Sequence, residues 1–324
     1  MATQEPMIQV KHLKKYFQTK KGQLHAVDDL NFTINKGQTL GLVGESGCGK
    51  STTGRVLLRL LEATAGEIIF NGEDVLKYKK KEMKAFREHA QMVFQDPFAS
   101  LNPRMTVSQI IGEPLVINGK YGNKQEGHQK VQKLMDMVGL ASRLEDVYPH
   151  ELDGGRRQRI GIARALALNP KFIVQDEPVS ALDVSIQAQI LNLMDDLQKE
   201  LGLTYLFISH DLGVIKHVSD QIAVMYLGKI VEMGDYNSLF KNPLHPYTQA
   251  LLSAIPIPRL DVKRERILLE GDVPSPINPP AHCRFYGRCP RRTDACLKDP
   301  HPPLTEVAPG RFVACPYHDA VATV

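Results

Sequence analysis

No apolar stretch in this sequence approaches the ~18 residues that a helix needs to cross a bilayer. The first residues do not carry the pattern of a secretory signal peptide, and neither internal repeats nor low-complexity segments are present. The net charge of +4 is too small to indicate binding to nucleic acid by itself, and we expect no nucleic-acid partner. These absences predict a cytosolic protein, which can still be attached to a membrane partner.

A chain of 324 residues with 43% hydrophobic and 23% charged residues is ordinary for a globular protein of one large domain or two smaller ones. Its five cysteines are unevenly placed, because four of them, Cys283, Cys289, Cys296 and Cys315, crowd near the C-terminal end. In a reducing cytosol such a group suggests a metal before disulfides. The group lacks the tight C-x₂₋₄-C pair that is usual in structural zinc sites, so zinc, an iron–sulfur cluster and free thiols all stay open.

Residues 44–51 read Gly-Glu-Ser-Gly-Cys-Gly-Lys-Ser and match the phosphate-binding loop pattern G-x-x-x-x-G-K-[ST]. A buried strand is predicted over 39–43 and a helix over 52–61, and this context argues against a glycine-rich turn that matches by chance. We expect Lys50 to reach the β- and γ-phosphates of a nucleotide and the Ser51 hydroxyl to bind Mg²⁺. The candidate nucleotide contacts in this stretch are Gly44, Glu45, Ser46, Gly47, Cys48, Gly49, Lys50, Ser51 and Thr52.

Apolar strands and helical periodicity alternate along most of the chain. Strands over 7–17 and 26–34 predict antiparallel β structure beside the phosphate-loop unit, and residues 97–168 predict a helical insertion between core strands. Proline is frequent in the C-terminal region and the periodicity fades there, which predicts a domain boundary. The expected fold class is α/β, with a P-loop (RecA-like) parallel-sheet core, an antiparallel β subdomain and a helical insertion subdomain over 1–242. A small Cys/Pro-rich appendage occupies 243–324.

Polar side chains follow three of the predicted strands. Asp176 and Glu177 end a strand over 171–175, His210 follows a second strand, and Gln95 follows a third. Asp176 is placed to hold Mg²⁺, and Glu177 to polarise the water that attacks the γ-phosphate. A solvated acidic pair and a structural histidine are the alternatives, and behind a phosphate-binding loop the catalytic interpretation is favoured.

Residues 151–159 carry two glycines, Gly154 and Gly155, that open a predicted helix. The N-terminus of a helix offers unpaired N–H groups and the positive end of the helix dipole to an anion. Within one chain this anion site has no obvious phosphate to bind. We therefore expect this anion site to bind a nucleotide that is held by a second subunit.

Taken in order, these motifs resemble the ATP-binding cassette (ABC) ATPases over residues 7 to about 240. The resemblance implies that Tyr16 stacks on adenine and that Gln95 senses the γ-phosphate, ligates Mg²⁺ and contacts membrane subunits. It also implies that Asp183 couples two ATP sites across a dimer and that His210 touches the γ-phosphate or the attacking water. The glycine pair matches the signature motif of the family.

Residues 93–104, 178–187 and 242–247, with the cysteine tail, resemble more narrowly the ATPases of oligopeptide/dipeptide importers, and 54–62 resemble their F-type subunit. The resemblance implies an ATP-hydrolysing subunit that energises peptide import, peripheral on the cytoplasmic face of the membrane. Its expected partners are two transmembrane permease subunits, a second, unlike ATPase and, indirectly, an extracytoplasmic substrate-binding protein. For the four cysteines it implies a [4Fe–4S] cluster, with Zn²⁺ as the alternative. Import of nickel or another small solute, and a soluble ABC ATPase acting on nucleic acid or ribosomes, are the alternative functions.

Asp153 stands where the signature motif usually has serine. An ionised carboxylate cannot donate a hydrogen bond to the γ-phosphate and would repel it, which predicts a heterodimer with one impaired site. The alternative is that Asp153 turns away and caps the helix that follows, a role that aspartate performs well. The sequence leaves both interpretations open.

Overall fold

The computed structural model describes residues 5–255 and 266–317. Parts of the predicted C-terminal appendage, residues 256–265 and 318–324, lie outside the described residues. The chain forms two compact units. The helix-rich unit contains Asn35–Gln38 and Lys77–Ile208, and the loop unit contains Pro6–Ile34, Thr39–Leu76 and the described residues from Ser209 onward.

Secondary structure alternates along the described residues in the way that the sequence predicts for an α/β protein. The strands are β1 (Pro6–Thr19), β2 (Gly22–Asn35), β3 (Thr39–Val43), β4 (Ala65–Phe70), β5 (Glu73–Asp74), β6 (Ala90–Val93), β7 (Phe172–Asp176), β8 (Thr204–Ser209), β9 (Gln221–Tyr226), β10 (Lys229–Asp235), β11 (Thr305–Ala308) and β12 (Arg311–Val313). The helices are α1 (Lys50–Leu57), α2 (Lys80–His89), α3 (Pro97–Ser100), α4 (Val107–Ile117), α5 (Lys124–Met137), α6 (Gly154–Leu166), α7 (Val184–Leu201), α8 (Leu212–Val218), α9 (Tyr236–Lys241), α10 (Pro246–Ser253) and α11 (Ala295–Lys298). None of the helices in the part of the chain described has the length and apolar character that a membrane span requires.

The loop unit contains two sets of strands. The first is a four-stranded sheet in the order β2-β1-β4-β5, the antiparallel β structure that the sequence predicts. In the second, β3 pairs in parallel with β9, and β10, β12 and β11 extend it by antiparallel pairing. All five residues of β3 are buried, and the phosphate-binding loop follows this strand directly. A buried strand therefore fixes the start of the loop.

The helix-rich unit has a parallel core of β6, β7 and β8, with β7 in the middle. The carboxyl ends of parallel strands meet at one edge of a sheet, so Gln95 and the carboxylates at the end of β7 belong to the same edge. Helices α4, α5, α6 and α7 each begin at a residue whose side chain accepts a hydrogen bond from the first turn. These capping residues explain in physical terms where each of the four helices starts.

The observed elements differ from the prediction at the end of α1, in several short helices and in the last two strands. Helix α1 ends at Leu57, and the prediction that it continues to residue 61 is wrong. The physical reason is that Arg59 adopts a left-handed backbone conformation with φ 48°, while its Nη1 donates to the carbonyl of Val75 at 3.1 Å. The C-terminal strands β11 and β12 were not predicted, because each is too short to give a clear alternating pattern.

Candidate nucleotide-binding site

The phosphate-binding loop is held tightly between two strands of the loop unit. A Cβ atom at Gly44 would collide with the carbonyl oxygen of Met225 in β9, and one at Gly49 with that of Ala26 in β2. Gly49 also has a φ of 110°, a conformation that L side chains rarely adopt. Only glycine fits at these two positions, which explains the spacing of the motif in physical terms.

Lys50 begins α1 with its side chain inside the loop rather than in solvent. The residue is 4% exposed, and its Nζ donates to the carbonyls of Gly44 at 2.8 Å and Glu45 at 3.1 Å. The first turn of α1 is fixed further by the Thr53 hydroxyl, which donates to the Gly49 carbonyl at 3.0 Å. The loop therefore presents a positive charge together with a helix N-terminus, the combination that binds phosphate.

Cys48 lies inside the loop but has the character of a packing residue. It is 3% exposed, and burial raises the pKa of its thiol despite the nearby Lys50. Its backbone carbonyl accepts a hydrogen bond from the N–H of Gly228 at 2.8 Å. A buried neutral thiol supports the loop and is a poor nucleophile.

Tyr16 lies on β1, and one face of its ring is stacked on His25, with ring centroids 4.0 Å apart. Its hydroxyl donates to Asp28, and burial together with this hydrogen bond raises the pKa of the tyrosine. Burial alone would raise the pKa of Asp28, but the hydrogen bond from Tyr16 and the cations of Lys229 and Arg284 hold that pKa below its usual value. Stacking of adenine on Tyr16 would therefore use the opposite ring face or displace His25.

Within the helix-rich unit, Gln95 and Glu177 come together although 82 positions separate them, and Gln95 Nε2 donates to Glu177 Oε2 at 3.0 Å. Asp176 is 1% exposed at the end of β7. Glu177 has a φ of 48°, an uncommon conformation for a residue other than glycine and one that clusters at functional sites. Its backbone N–H donates to the carbonyl of Ile208 at 2.9 Å, which anchors the turn against β8.

The glycine-rich helix opening lies against the start of α7 in the same unit. A Cβ at Gly155 would lie 2.7 Å from Ile186 Cγ2, and one at Gly154 would lie 3.0 Å from Leu182 Cδ2. The two glycines thus allow the N-terminus of α6 to approach the segment that ends at Asp183. The carboxylate of Asp183 caps α7 by accepting from the Ile186 N–H at 3.0 Å.

Asp153 directs both carboxylate oxygens toward its own helix. Oδ1 accepts a hydrogen bond from the Arg156 N–H at 2.8 Å, and Oδ2 lies 3.1 Å from Arg156 Nη1. The side chain is 57% exposed, so the ion pair itself contributes little to stability. The geometry is that of a helix cap, the second of the two interpretations that the sequence left open.

His210 lies at the surface of the loop unit, immediately after β8. The next residue, Asp211, caps α8, because its Oδ1 accepts from the Gly213 N–H at 2.7 Å. The prediction from sequence did not include α8, a short helix that begins two residues after the histidine. The cap and the preceding strand together fix the backbone on both sides of His210.

The four C-terminal cysteines line one largely apolar cavity of about 280 Å³. Burial raises the pKa of Cys283 to about 11, and it also raises the pKa values of Cys289 and Cys315. Thiolates in this cavity would therefore need a cation to compensate for their desolvation. In the described part of the chain, no three His, Cys, Asp or Glu side chains are arranged as a metal site. The cysteines are therefore gathered around one space without a preformed ligand geometry.

Sequence reasoning missed the contacts that the C-terminal segment makes with the phosphate-binding loop. Arg288 and Tyr247 both bind Glu45, from positions more than 200 residues further along the chain. The one available signal was the pair of arginines inside the stretch from Cys283 to Cys289, which is Cys-Arg-Phe-Tyr-Gly-Arg-Cys. That pattern alone gave no indication of the partner.

Comparison with known proteins identifies the relatives of the whole chain. A family model described as "ABC transporter" matches residues 27–180, and one described as "Oligopeptide/dipeptide transporter, C-terminal region" matches residues 231–296. The chain is 53% identical to the oligopeptide transport ATP-binding protein AppF of Bacillus subtilis (strain 168), covering 97% of this chain and 98% of that protein. It is 54% identical to OppF of the same organism, covering 96% of each.

Solved structures show the same fold. A dimeric ATP-binding cassette in a post-hydrolysis state with ADP and phosphate superposes with a TM-score of 0.65 at 28% identity, covering 71% of this chain and 99% of that one. The CbiO1 protein of Clostridium perfringens, part of the transporter complex CbiONQ, gives 0.65 at 28% identity, with 73% and 91% coverage. The mixed sheets and helices described above are thus those of an ABC cassette.

Proposed function

The chain belongs to the oligopeptide/dipeptide family of ABC transporter ATP-binding subunits, and we propose that its residues 44–51, Asp176 and Glu177 bind and hydrolyse MgATP to drive peptide import. The observation that carries the proposal is the position of Lys50. Its ammonium lies inside a loop in which only glycine fits at positions 44 and 49. Proteins of this family hydrolyse ATP, and no other chemistry is needed to energise transport.

We propose the following division of roles, which rests on the motifs that this chain shares with the family. Lys50 and the N–H groups of the loop bind the phosphates, and Ser51, Asp176 and Gln95 supply oxygen ligands to Mg²⁺. When bound, Mg²⁺ neutralises developing charge on the phosphates. Glu177 polarises the attacking water, and the hydrogen bond from Gln95 orients its carboxylate.

The remaining proposed contacts to the nucleotide rest on the motifs that this chain shares with its family. We propose that His210 contacts the γ-phosphate or the attacking water and that Tyr16 stacks on adenine. In a dimer, Gly154 and Gly155 would offer the N-terminus of α6 to the nucleotide of the partner subunit, while Asp183 would couple the two sites. The close packing of both glycines on the start of α7 supports this, because it ties the helix opening to Asp183.

Replacement of Glu177 by glutamine tests the catalytic assignment. We expect E177Q to bind MgATP with an affinity near that of the wild type and to hydrolyse it at least ~100-fold more slowly, since general-base catalysis contributes roughly that factor or more. Lys50→Ala should instead lose nucleotide binding. Hydrolysis by E177Q at the wild-type rate would rule out Glu177 as the residue that activates water.

We propose that the chain works on the cytoplasmic face of the membrane with two permease subunits, a second ATPase subunit and, indirectly, a substrate-binding protein. The names of its relatives, which include peptide import proteins, support the permease partners. The unlike ATPase follows from Asp153, because a homodimer would carry any defect at this position twice. We assign residues 1–242 to the nucleotide-binding domain and 243–324 to the C-terminal segment of the oligopeptide transporters.

We propose that Cys283, Cys289, Cys296 and Cys315 hold a [4Fe–4S] cluster, with one Zn²⁺ as the alternative occupant. The shared cavity supports the proposal, since four cysteines are the ligand set of either group. Metal content measured on protein purified without oxygen tests it, with a Cys296→Ser variant as control. About four irons and four sulfides per wild-type chain are expected. Neither metal in the wild type, or the same content in the variant, would contradict a four-cysteine site.

A further inference from the structure

The stretch from Cys283 to Cys289, here termed the arginine turn, lies directly against the phosphate-binding loop. Arg288 binds Glu45, the second residue of the loop, at two points: Nη1 to Oε2 at 2.7 Å and Nη2 to Oε1 at 3.1 Å. The side chain of Arg288 is 9% exposed and that of Glu45 27%. A two-point pair of this kind fixes the direction of a carboxylate as well as its position.

The backbone of Glu45 is held from the same C-terminal segment. Its N–H donates to the hydroxyl of Tyr247 at 2.9 Å, and Tyr247 is fully buried on α10. The rings of Tyr247, Tyr226 and Phe285 pack together, with centroids between 4.7 and 5.4 Å apart. Since Phe285 belongs to the arginine turn, one aromatic cluster supports both of the groups that bind Glu45.

The other end of the arginine turn is fixed as well. Arg284 donates to the carbonyl of Leu227 and to the carboxylate of Asp28, and its side chain is 4% exposed. Gly228, which follows Leu227, donates its N–H to the carbonyl of Cys48 in the loop at 2.8 Å. The position of Arg288 is therefore set by buried contacts on both sides and not by a flexible surface side chain.

We propose that Arg288 is a positioning residue for ATP binding, so that the C-terminal segment forms part of the ATP site. The carboxylate of Glu45 lies within the loop that receives a multiply charged phosphate chain, and an unpaired carboxylate there would repel the ligand. The guanidinium neutralises that charge and holds the side chain toward the arginine turn. This inference rests on the assignment of residues 44–51 as the phosphate-binding loop.

Full-length Arg288→Met and Arg288→Lys variants test the proposal, with measurements of Kd and KM for MgATP, kcat and the thermal midpoint. We expect R288M to raise Kd and KM roughly tenfold while kcat changes little. R288K should recover part of the loss, because lysine keeps the charge without the two-point geometry. The exposed Arg266, in the same C-terminal segment, provides the matched control R266M, for which no change is expected.

Combination with Glu45→Gln separates positioning from mere support of the fold. If Arg288 acts through the charge of Glu45, R288M should change Kd less than about twofold in the E45Q background. The proposal would be overturned if R288M raised Kd equally in the wild-type and E45Q backgrounds. It would also be overturned if R288M kept the wild-type Kd and KM, whether or not its thermal midpoint fell. A Lys50→Ala variant that still binds ATP would show instead that the loop assignment had failed.

Discussion

Asp153 at the start of α6 is both a helix cap and a negative charge. It caps α6 through the Arg156 N–H, which serine would also do, and it brings a negative charge where the signature motif normally has a hydroxyl donor. The cap explains how the residue is tolerated in the fold. A carboxylate does not supply the hydrogen-bond donor that the serine hydroxyl would offer at this position.

We expect Asp153→Ser to raise ATP turnover in the assembled transporter, because serine keeps the cap and restores a donor without charge. The measurement is the steady-state ATPase rate of the complex, together with nucleotide occupancy at both sites. Asp153→Ala is the matched control: it should lose about 1 kcal/mol of stability and gain less turnover than D153S, because it removes the charge but supplies no donor. Unaltered turnover and occupancy in D153S would show that the carboxylate is a cap and nothing more.

The tight conformation of the phosphate-binding loop could be predicted from the sequence because a short motif carries it. The glycines and Lys50 of the loop form such a motif because backbone sterics and a fixed spacing leave few alternatives. The pairing of Gln95 with Glu177 depends on two parallel strands that meet at one sheet edge, so it followed only once β6 and β7 were placed. The pairing of Glu45 with Arg288 spans 243 positions and has no local signal at all.

Among the elements, helix α6 joins the core of the helix-rich unit to the start of α7. Gly155 has no room for a side chain, since a Cβ would lie 2.7 Å from Ile186. At Gly161, six residues further along the same helix, no atom of the described residues other than the neighbouring helix backbone lies within 4 Å of such a Cβ. Because the two glycines differ in their surroundings, a substitution at Gly161 is the matched control for the same substitution at Gly155.

We expect Gly155→Ala to destabilise the protein by about 1–3 kcal/mol, because overpacking forces α6 and α7 apart. Gly161→Ala should instead stabilise it by up to about 1 kcal/mol, because alanine favours the helix and meets no neighbour. Urea unfolding of both variants checks this, and the ATPase rate of the complex should fall in G155A alone. Equal stability of the two variants would contradict the packing described for the helix opening.

The helices and buried strands could be predicted because their periodicity and capping residues are local. The antiparallel strands β11 and β12 could not, because β12 pairs with residues of β10 about 80 positions away and β11 joins the sheet only through β12. These late strands bring the C-terminal segment onto the same sheet as β3. The sequence did not predict this, because the high proline content of the segment indicated a separate appendage.

At the level of the whole molecule, the chain is an ABC ATPase in which the C-terminal segment and the phosphate-binding loop belong to one compact unit. Similarity to peptide transport ATP-binding proteins extends over 97% of the chain, including this segment. The fold explains how ATP can be bound and hydrolysed. Transport itself requires permease subunits, to which the free energy of hydrolysis must be passed.

Uptake of a labelled oligopeptide into proteoliposomes tests the central claim most directly. The vesicles contain the complete transporter, with its permease subunits, both ATPase subunits and the binding protein, and enclose or lack MgATP. We predict uptake that requires MgATP with the wild-type chain and falls at least ~100-fold with E177Q, in proportion to the loss of hydrolysis. Uptake that proceeds without ATP, or that E177Q leaves unchanged, would contradict the assignment of this chain as the subunit that energises peptide import.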